Sequence, residues 1–280
     1  MAPVDDQSRT ASAQPTRGGG DEALALHVEL VGPPGSGKSA CARLLREILR
    51  SRGDAYLMDE VLQVSSSRRC SSESKRIMYR FLGRAGLRRL RHLLHDPTLL
   101  MRSLVTFQTE YTHLWRFFFN NQLSRGYDRW ERTHDLTYVQ RLCAVYQLAK
   151  ETFKPEESLV LDEGFAYIPV RTIGHGEPMG RADLEYYLRT IPRPNVLVRL
   201  SCPPEVCDRR IFRRPSGPPQ RLGTLPERER LEAIRWCDET IADIANILSR
   251  EGVAVATVET SPGLKEVGGH LEEGLKFALR

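Results

Sequence analysis

The chain has 280 residues, 40% of them hydrophobic, with 41 lysines and arginines against 36 aspartates and glutamates and a formal net charge of +5. That size and apolar share allow one large core or two modest ones and exclude collagen-like, fibrous and wholly disordered chains; so mild a charge gives no whole-molecule argument for nucleic-acid binding. The opening residues lack the apolar stretch of a secretory signal, no window reaches the roughly 18 to 20 apolar residues of a membrane span, and the six cysteines show neither CxxC pairs nor zinc-site spacing, so a soluble, cytoplasmic protein with reduced thiols is expected.

Residues 1–23 are rich in Ser, Pro, Gly, Gln and Asp, have no apolar periodicity and read as a mobile tail, leaving 24–280 as one folded domain. "LALHVELVG" is an apolar run that predicts a buried strand, and a helix follows from about Lys38 to Gly53. Between them, Gly32, Pro33, Pro34, Gly35, Ser36, Gly37, Lys38, Ser39 and Ala40 carry the pattern G-x-x-x-x-G-K-S. Glycines let such a loop curl its N–H groups around phosphate oxygens, the lysine adds charge, and the serine hydroxyl can bind Mg²⁺. ATP and Mg²⁺ are the expected ligands. "DAYLMDE" predicts a second strand ending at Asp59 and Glu60, where a carboxylate could accept the proton of an attacking hydroxyl; a strand-end or helix-capping acid fits as well.

Residues 60–154 read as a helical insertion on the substrate side, with helices over 72–94, 98–124 and 133–152. Arg76, Arg80, Arg84 and Arg88 recur every four residues and predict a basic stripe that could meet an acidic acceptor or simply face water. Trp115, Phe117, Phe118 and Phe119 read as core or interface. "ESLVLDEG" then delivers Asp162, a natural holder of Mg²⁺, and Glu163, which could orient water, substrate or a proton. Arg171, just beyond, could hold a substrate phosphate or its own loop, and His175 reads as a surface histidine.

"PNVLVRLSC" and "GVAVATVET" predict fourth and fifth strands, and "CPPEVCDRRIFRRPSGPPQRL" between them places Arg209, Arg210, Arg213 and Arg214 on a short helix before a glycine- and proline-rich loop. Guanidinium groups there could stabilise charge on a transferring phosphoryl group. Continuously apolar strands alternating with helices predict a parallel sheet covered on both faces, with ligands at its carboxyl edge.

The order of these features, "GPPGSGKS", an acid after the second strand, "LVLDEG" after the third, an arginine helix after the fourth and "VETSPGLKEV" after the fifth, resembles the P-loop kinases of the nucleoside/nucleotide kinase superfamily, thymidylate kinase-like and deoxynucleoside kinase-like. The resemblance implies a three-layer α/β P-loop NTPase fold with strand order 2-3-1-4-5, a lid over 203–226 with Arg209, Arg213 and Arg214 as lid arginines, and an adenine-side loop at Thr260, Ser261 and Pro262. "DPTLLMRSLVTFQTEY" is similar to the deoxynucleoside-kinase helix whose Phe-Gln pair lies beside the base, which implies Phe107 and Gln108 as substrate contacts; "DEGF" departs from the Glu-Arg-Ser of those kinases. The expected function is ATP- and Mg²⁺-dependent phosphotransfer to a small-molecule hydroxyl or phosphate acceptor, a nucleoside or nucleotide among them. A regulatory ATPase and a nucleic-acid-end kinase are the alternatives, and no Asn-Lys-x-Asp motif points to guanine.

Overall fold

The computed structural model describes residues 24, 26–69, 97–124, 129–173, 179–215, 217–261 and 263–278. The predicted tail, the 72–94 helix, Arg80 and Arg84 of the basic stripe, His175 and Pro262 lie outside the described residues. Strands β1 (Leu26–Val31), β2 (Ala55–Leu57), β3 (Ser158–Leu161), β4 (Val196–Ser201) and β5 (Ala254–Glu259) form one sheet in the order β2-β3-β1-β4-β5, every pairing parallel. This is the expected 2-3-1-4-5 order, and the central strands are buried along almost their whole length.

Alternation along the strands divides the core in two. Val28 and Leu30 of β1, Val160 of β3 and Val198 of β4 face α1 (Lys38–Leu49) and the C-terminal helix, where Leu45, Leu271 and Leu275 meet them. Val31, Leu159 and Leu161 face the other way, towards helices 129–152 and 227–250. Full burial of such a leucine makes truncation to alanine cost about 2–5 kcal/mol. His27 and Glu29 alternate with these residues and so project polar groups into the second layer, both buried.

Helices α2 (Met58–Arg69), α3 (Pro97–Glu110), α4 (Thr112–Ser124) and α5 (Arg129–Thr152) occupy the connection between β2 and β3. The single helix expected over 98–124 is interrupted at Tyr111. No glycine or proline stands at the break; beside it the Thr112 hydroxyl donates to the carbonyls of Gln108 (3.0 Å) and Thr109 (2.9 Å). The second strand is also shorter than expected. Glu60 accepts the Leu57 N–H at 3.0 Å, which caps α2 and begins the helix at Met58.

Beyond β3 a 3-10 turn (Phe165–Tyr167) runs into α6 (Ile168–Ile173), followed by α7 (Arg181–Thr190). After β4 come α8 (Pro204–Phe212), α9 (Gln220–Thr224) and α10 (Glu227–Arg250); after β5 comes α11 (Leu264–Ala278). Among the described residues no helix is long and apolar enough to cross a membrane.

Candidate active site at the carboxyl edge of the sheet

The loop between β1 and α1 takes its shape from two left-handed glycines, Gly35 at φ +87° and Gly37 at φ +90°. Gly35 also lies so close to α8 that a Cβ there would stand 2.3 Å from the Cys207 carbonyl oxygen. Lys38 enters α1 buried. Its Nζ donates to the carbonyls of Gly32 (2.9 Å) and Pro33 (3.3 Å), lies 4.2 Å from the centre of the Tyr167 ring and is 3.9 Å from Glu163 Oε1. Burial pushes its pKa below the ordinary lysine value, opposed by Glu163.

Ser39 donates its hydroxyl to Asp162 Oδ2 at 2.7 Å, joining the start of α1 to the end of β3. A hydroxyl and a carboxylate facing one another are hard oxygen donors suited to Mg²⁺, which keeps several waters and uses one or two carboxylates with phosphate oxygens. Among the described residues no group of three or more His, Cys, Asp and Glu side chains is placed to hold a metal ion.

The loop carrying Asp162 and Glu163 is secured from beneath by a residue that the motif pattern does not mark. Glu29, wholly buried on β1, accepts the backbone N–H groups of Phe165 (3.0 Å) and Ala166 (2.8 Å). Its other neighbour is His27, whose Nε2 lies 3.1 Å away. Room for this carboxylate exists because residue 164 is glycine: a Cβ there would lie 2.3 Å from Glu29 Cδ. Tyr138 of α5 donates its hydroxyl to the Glu163 carbonyl, and Tyr187 of α7 donates to the Phe165 carbonyl at 2.7 Å. The sequence signal available for Glu29 was an acid inside an otherwise apolar strand, which a buried parallel strand tolerates only with partners.

Arg171 is placed beside Glu163 (3.4 Å), with its strongest contact to the buried Asp135 (2.8 Å), a further one to His134 Nδ1 (3.0 Å) and its guanidinium 4.3 Å from the Tyr138 ring centre. These contacts orient Glu163 and the following turn from within the protein, the loop-holding one of the two roles expected for Arg171. Its ion pairs hold the guanidinium pKa up against burial.

Other expected site residues stand elsewhere. Asp59 lies in the first turn of α2 rather than at a strand end, is 61% exposed and pairs with Arg141 of α5 at 2.7 Å. Phe107 is not a base-stacking surface: it is fully buried, stacked on Phe165 at 5.6 Å and Tyr111 at 4.5 Å, because its face of α3 packs inward on the core. Gln108, half-buried, neighbours it on α3. Thr260 is buried and donates to the Ser201 carbonyl, while Ser261 donates to Glu259, so both hydroxyls serve the end of β5. Arg209, Arg213 and Arg214 are exposed at the end of α8, and the charge of Arg214 reaches Lys38. Arg210, on the same helix, instead donates to the Thr260 carbonyl at 2.7 Å. Of the basic residues before position 70, Arg68 is anchored to Glu157 and to the Thr152 carbonyl.

Strand order, covering helices and the loop after β1 define a three-layer P-loop NTPase fold. No protein-family model matches the chain, and no curated protein sequence is recognisably similar to it. Among solved structures, the chain is similar to shikimate kinase from Acinetobacter baumannii in complex with shikimate, at 17% identity over 92% of this chain and 94% of that one, with a TM-score of 0.35.

Proposed function

We propose that this protein is an ATP- and Mg²⁺-dependent kinase that transfers the γ-phosphoryl group to a small-molecule hydroxyl or phosphate acceptor. The observation that carries the reading is the tie between the helical connection and the acid beside the phosphate loop: Tyr138 and Asp135 of α5 fix Glu163, directly and through Arg171, 3.9 Å from Lys38. A wall of helices joined in this way to the reacting edge supports an acceptor side at 60–154. The resemblance to nucleoside and nucleotide kinases supports the same division, with 203–226 as a lid.

In this reading the loop N–H groups and Lys38 hold the nucleotide's phosphates, Lys38 exchanging its two carbonyl partners for phosphoryl oxygens. Ser39 and Asp162 hold Mg²⁺, which when bound neutralises phosphate charge. Glu163, one-third exposed, orients the acceptor hydroxyl and takes its proton as the phosphorus–oxygen bond to the acceptor forms and that to ADP breaks. Arg214, with Arg209 and Arg213, supplies charge over the transferring group. Asp59, engaged by Arg141, takes no part.

A second reading is nucleotide hydrolysis with Glu163 orienting water, since the pair Asp162-Glu163 after an apolar strand serves that chemistry equally well. Transfer of labelled phosphate from ATP, with pools of nucleosides, nucleotides, sugars and 5′-hydroxyl oligonucleotides, separates the two. Product labelling by a small-molecule pool, abolished by Lys38→Ala, reduced about 10²–10⁴-fold by Glu163→Gln and barely changed by Asp59→Asn, is expected. Phosphate release unaffected by every pool would overturn the kinase reading in favour of hydrolysis.

A further inference from the structure

Two cysteines outside the proposed mechanism lie at the junction of β4, α8 and the phosphate loop. Cys202 directly precedes the N-cap Pro203 of α8, and Cys207 is the fourth residue of the helix. These are the two positions that pack on one another at a helix start. Cys207 Sγ lies 3.8 Å from the Cys202 carbonyl oxygen, and Arg210 Nη1 lies 3.6 Å from Cys202 Sγ. Both thiols are free; Cys202 retains 5% exposure and Cys207 none. The Cys207 thiol, the Thr260 hydroxyl and the Arg210 guanidinium hold the Cys202 thiol well below its ordinary pKa, while the same contact and burial raise that of Cys207. Arg210 thus gives Cys202 the cationic neighbour that favours a reactive thiolate, whereas Cys41, Cys143 and Cys237 are raised by burial.

We infer that Cys202 and Cys207 are a peroxide-oxidisable pair whose disulfide weakens nucleotide binding at the phosphate loop. Cys202 thiolate attacks one oxygen of a hydroperoxide; the S–O bond forms, the O–O bond breaks, and sulfur loses two electrons to the peroxide, giving a sulfenic acid and hydroxide or alkoxide. The Cys207 sulfur then attacks that sulfur; the S–S bond forms, the S–O bond breaks, and the departing hydroxide takes the Cys207 proton as water. The link to the ligand site is steric. The Cys207 carbonyl packs so closely on Gly35 that a Cβ would not fit between them, so a shift of the first turn of α8 on disulfide formation alters the contact on which the phosphate loop rests. Oxidation also removes the anion beside Arg210, the residue that holds the Thr260 carbonyl. The inference needs only that the phosphate loop binds nucleotide, and stands whether the γ-phosphoryl group goes to an acceptor or to water.

The test uses the full chain carrying Cys70→Ser, treated with hydrogen peroxide, followed by peptide mass mapping and titration with a fluorescent ATP analogue. A loss of two hydrogens confined to Cys202 and Cys207 is expected, with affinity falling about tenfold and returning on addition of dithiothreitol. In the Cys207→Ser variant, a sulfenic acid trapped by dimedone should sit on Cys202. Oxidation that spares Cys202, or a 202–207 disulfide that leaves affinity unchanged, overturns the inference; both readouts come from the chain with Cys202 and Cys207 intact, so poor folding of the Cys207 variant does not shield it. An untreated chain that fails to bind the analogue would instead overturn the nucleotide reading itself.

Discussion

Replacing Gly164 by alanine sets two physical arguments against each other. Gly164 has φ −89° and ψ −160°, a conformation open to alanine, so backbone entropy alone predicts stabilisation by about 0.4–1 kcal/mol. The packing predicts the opposite. The new Cβ would stand 2.3 Å from Glu29 Cδ and 2.5 and 2.6 Å from its carboxylate oxygens, distances that force either the acid or the loop to move. Each path loses the hydrogen bonds from Phe165 and Ala166, charge-assisted contacts each contributing about 1.5–3 kcal/mol, and leaves a buried carboxylate short of partners. Allowing for partial relaxation, Gly164→Ala should destabilise by about 3–5 kcal/mol, read as a lowered urea midpoint at unchanged slope. Because Asp162 and Glu163 ride on the same loop, any folded fraction should also lose Mg²⁺-dependent nucleotide affinity. Glu29→Ala and Gly164→Ala should be strongly non-additive, the second costing little once the first is made. An unchanged or raised midpoint for Gly164→Ala would refute the clamp.

Lys38→Met should abolish turnover and yet raise the stability of the ligand-free protein by about 1 kcal/mol near pH 7, because a buried charge is removed. Since the folded pKa of Lys38 is depressed, its penalty is complete below that pKa and vanishes above the ordinary value of 10.5; the difference in unfolding free energy between the two proteins should close as pH rises through that window. Ser39→Ala should weaken nucleotide binding in Mg²⁺ by about tenfold or more while leaving binding in EDTA nearly unchanged, measured by calorimetry. Glu157, almost wholly buried, has a pKa pushed up by burial but brought net below the usual range by Arg68, the Lys154 N–H and Tyr56. Glu157→Gln should therefore cost about 2 kcal/mol at neutral pH. That stability is present in the wild type above the ordinary carboxylate pKa and lost as pH falls through the depressed one, so the two denaturation midpoints should converge in acid.

The nature of these residues sets what could be read in advance. The phosphate loop is local: its glycines, lysine and serine adopt their roles through φ angles and hydrogen bonds within a few residues, so the spacing of Gly32 to Ser39 was enough to expect it. The parallel sheet was likewise legible, because strands buried on both faces are apolar without alternation. The early end of β2 depended on the Glu60 carboxylate, which takes the Leu57 N–H in a way that hydrophobic period does not register, and the break at Tyr111 has no glycine or proline to announce it.

Partnership across the chain was a different matter. Asp59 and Glu163 are both acids after strands, and only the fold gives one to Arg141 on the outer face and sets the other beside Lys38. Phe107 carried a base-reading pattern but turned its ring into the core, and Glu29 carried none yet holds the loop from 136 residues away in sequence. By itself, then, the sequence determined the order of the strands' apolar runs, the phosphate loop and the set of charged residues near it. Which of those charges meet was decided by the tertiary structure, since a side chain's role here depends on the burial and the counter-charge that distant segments bring to it.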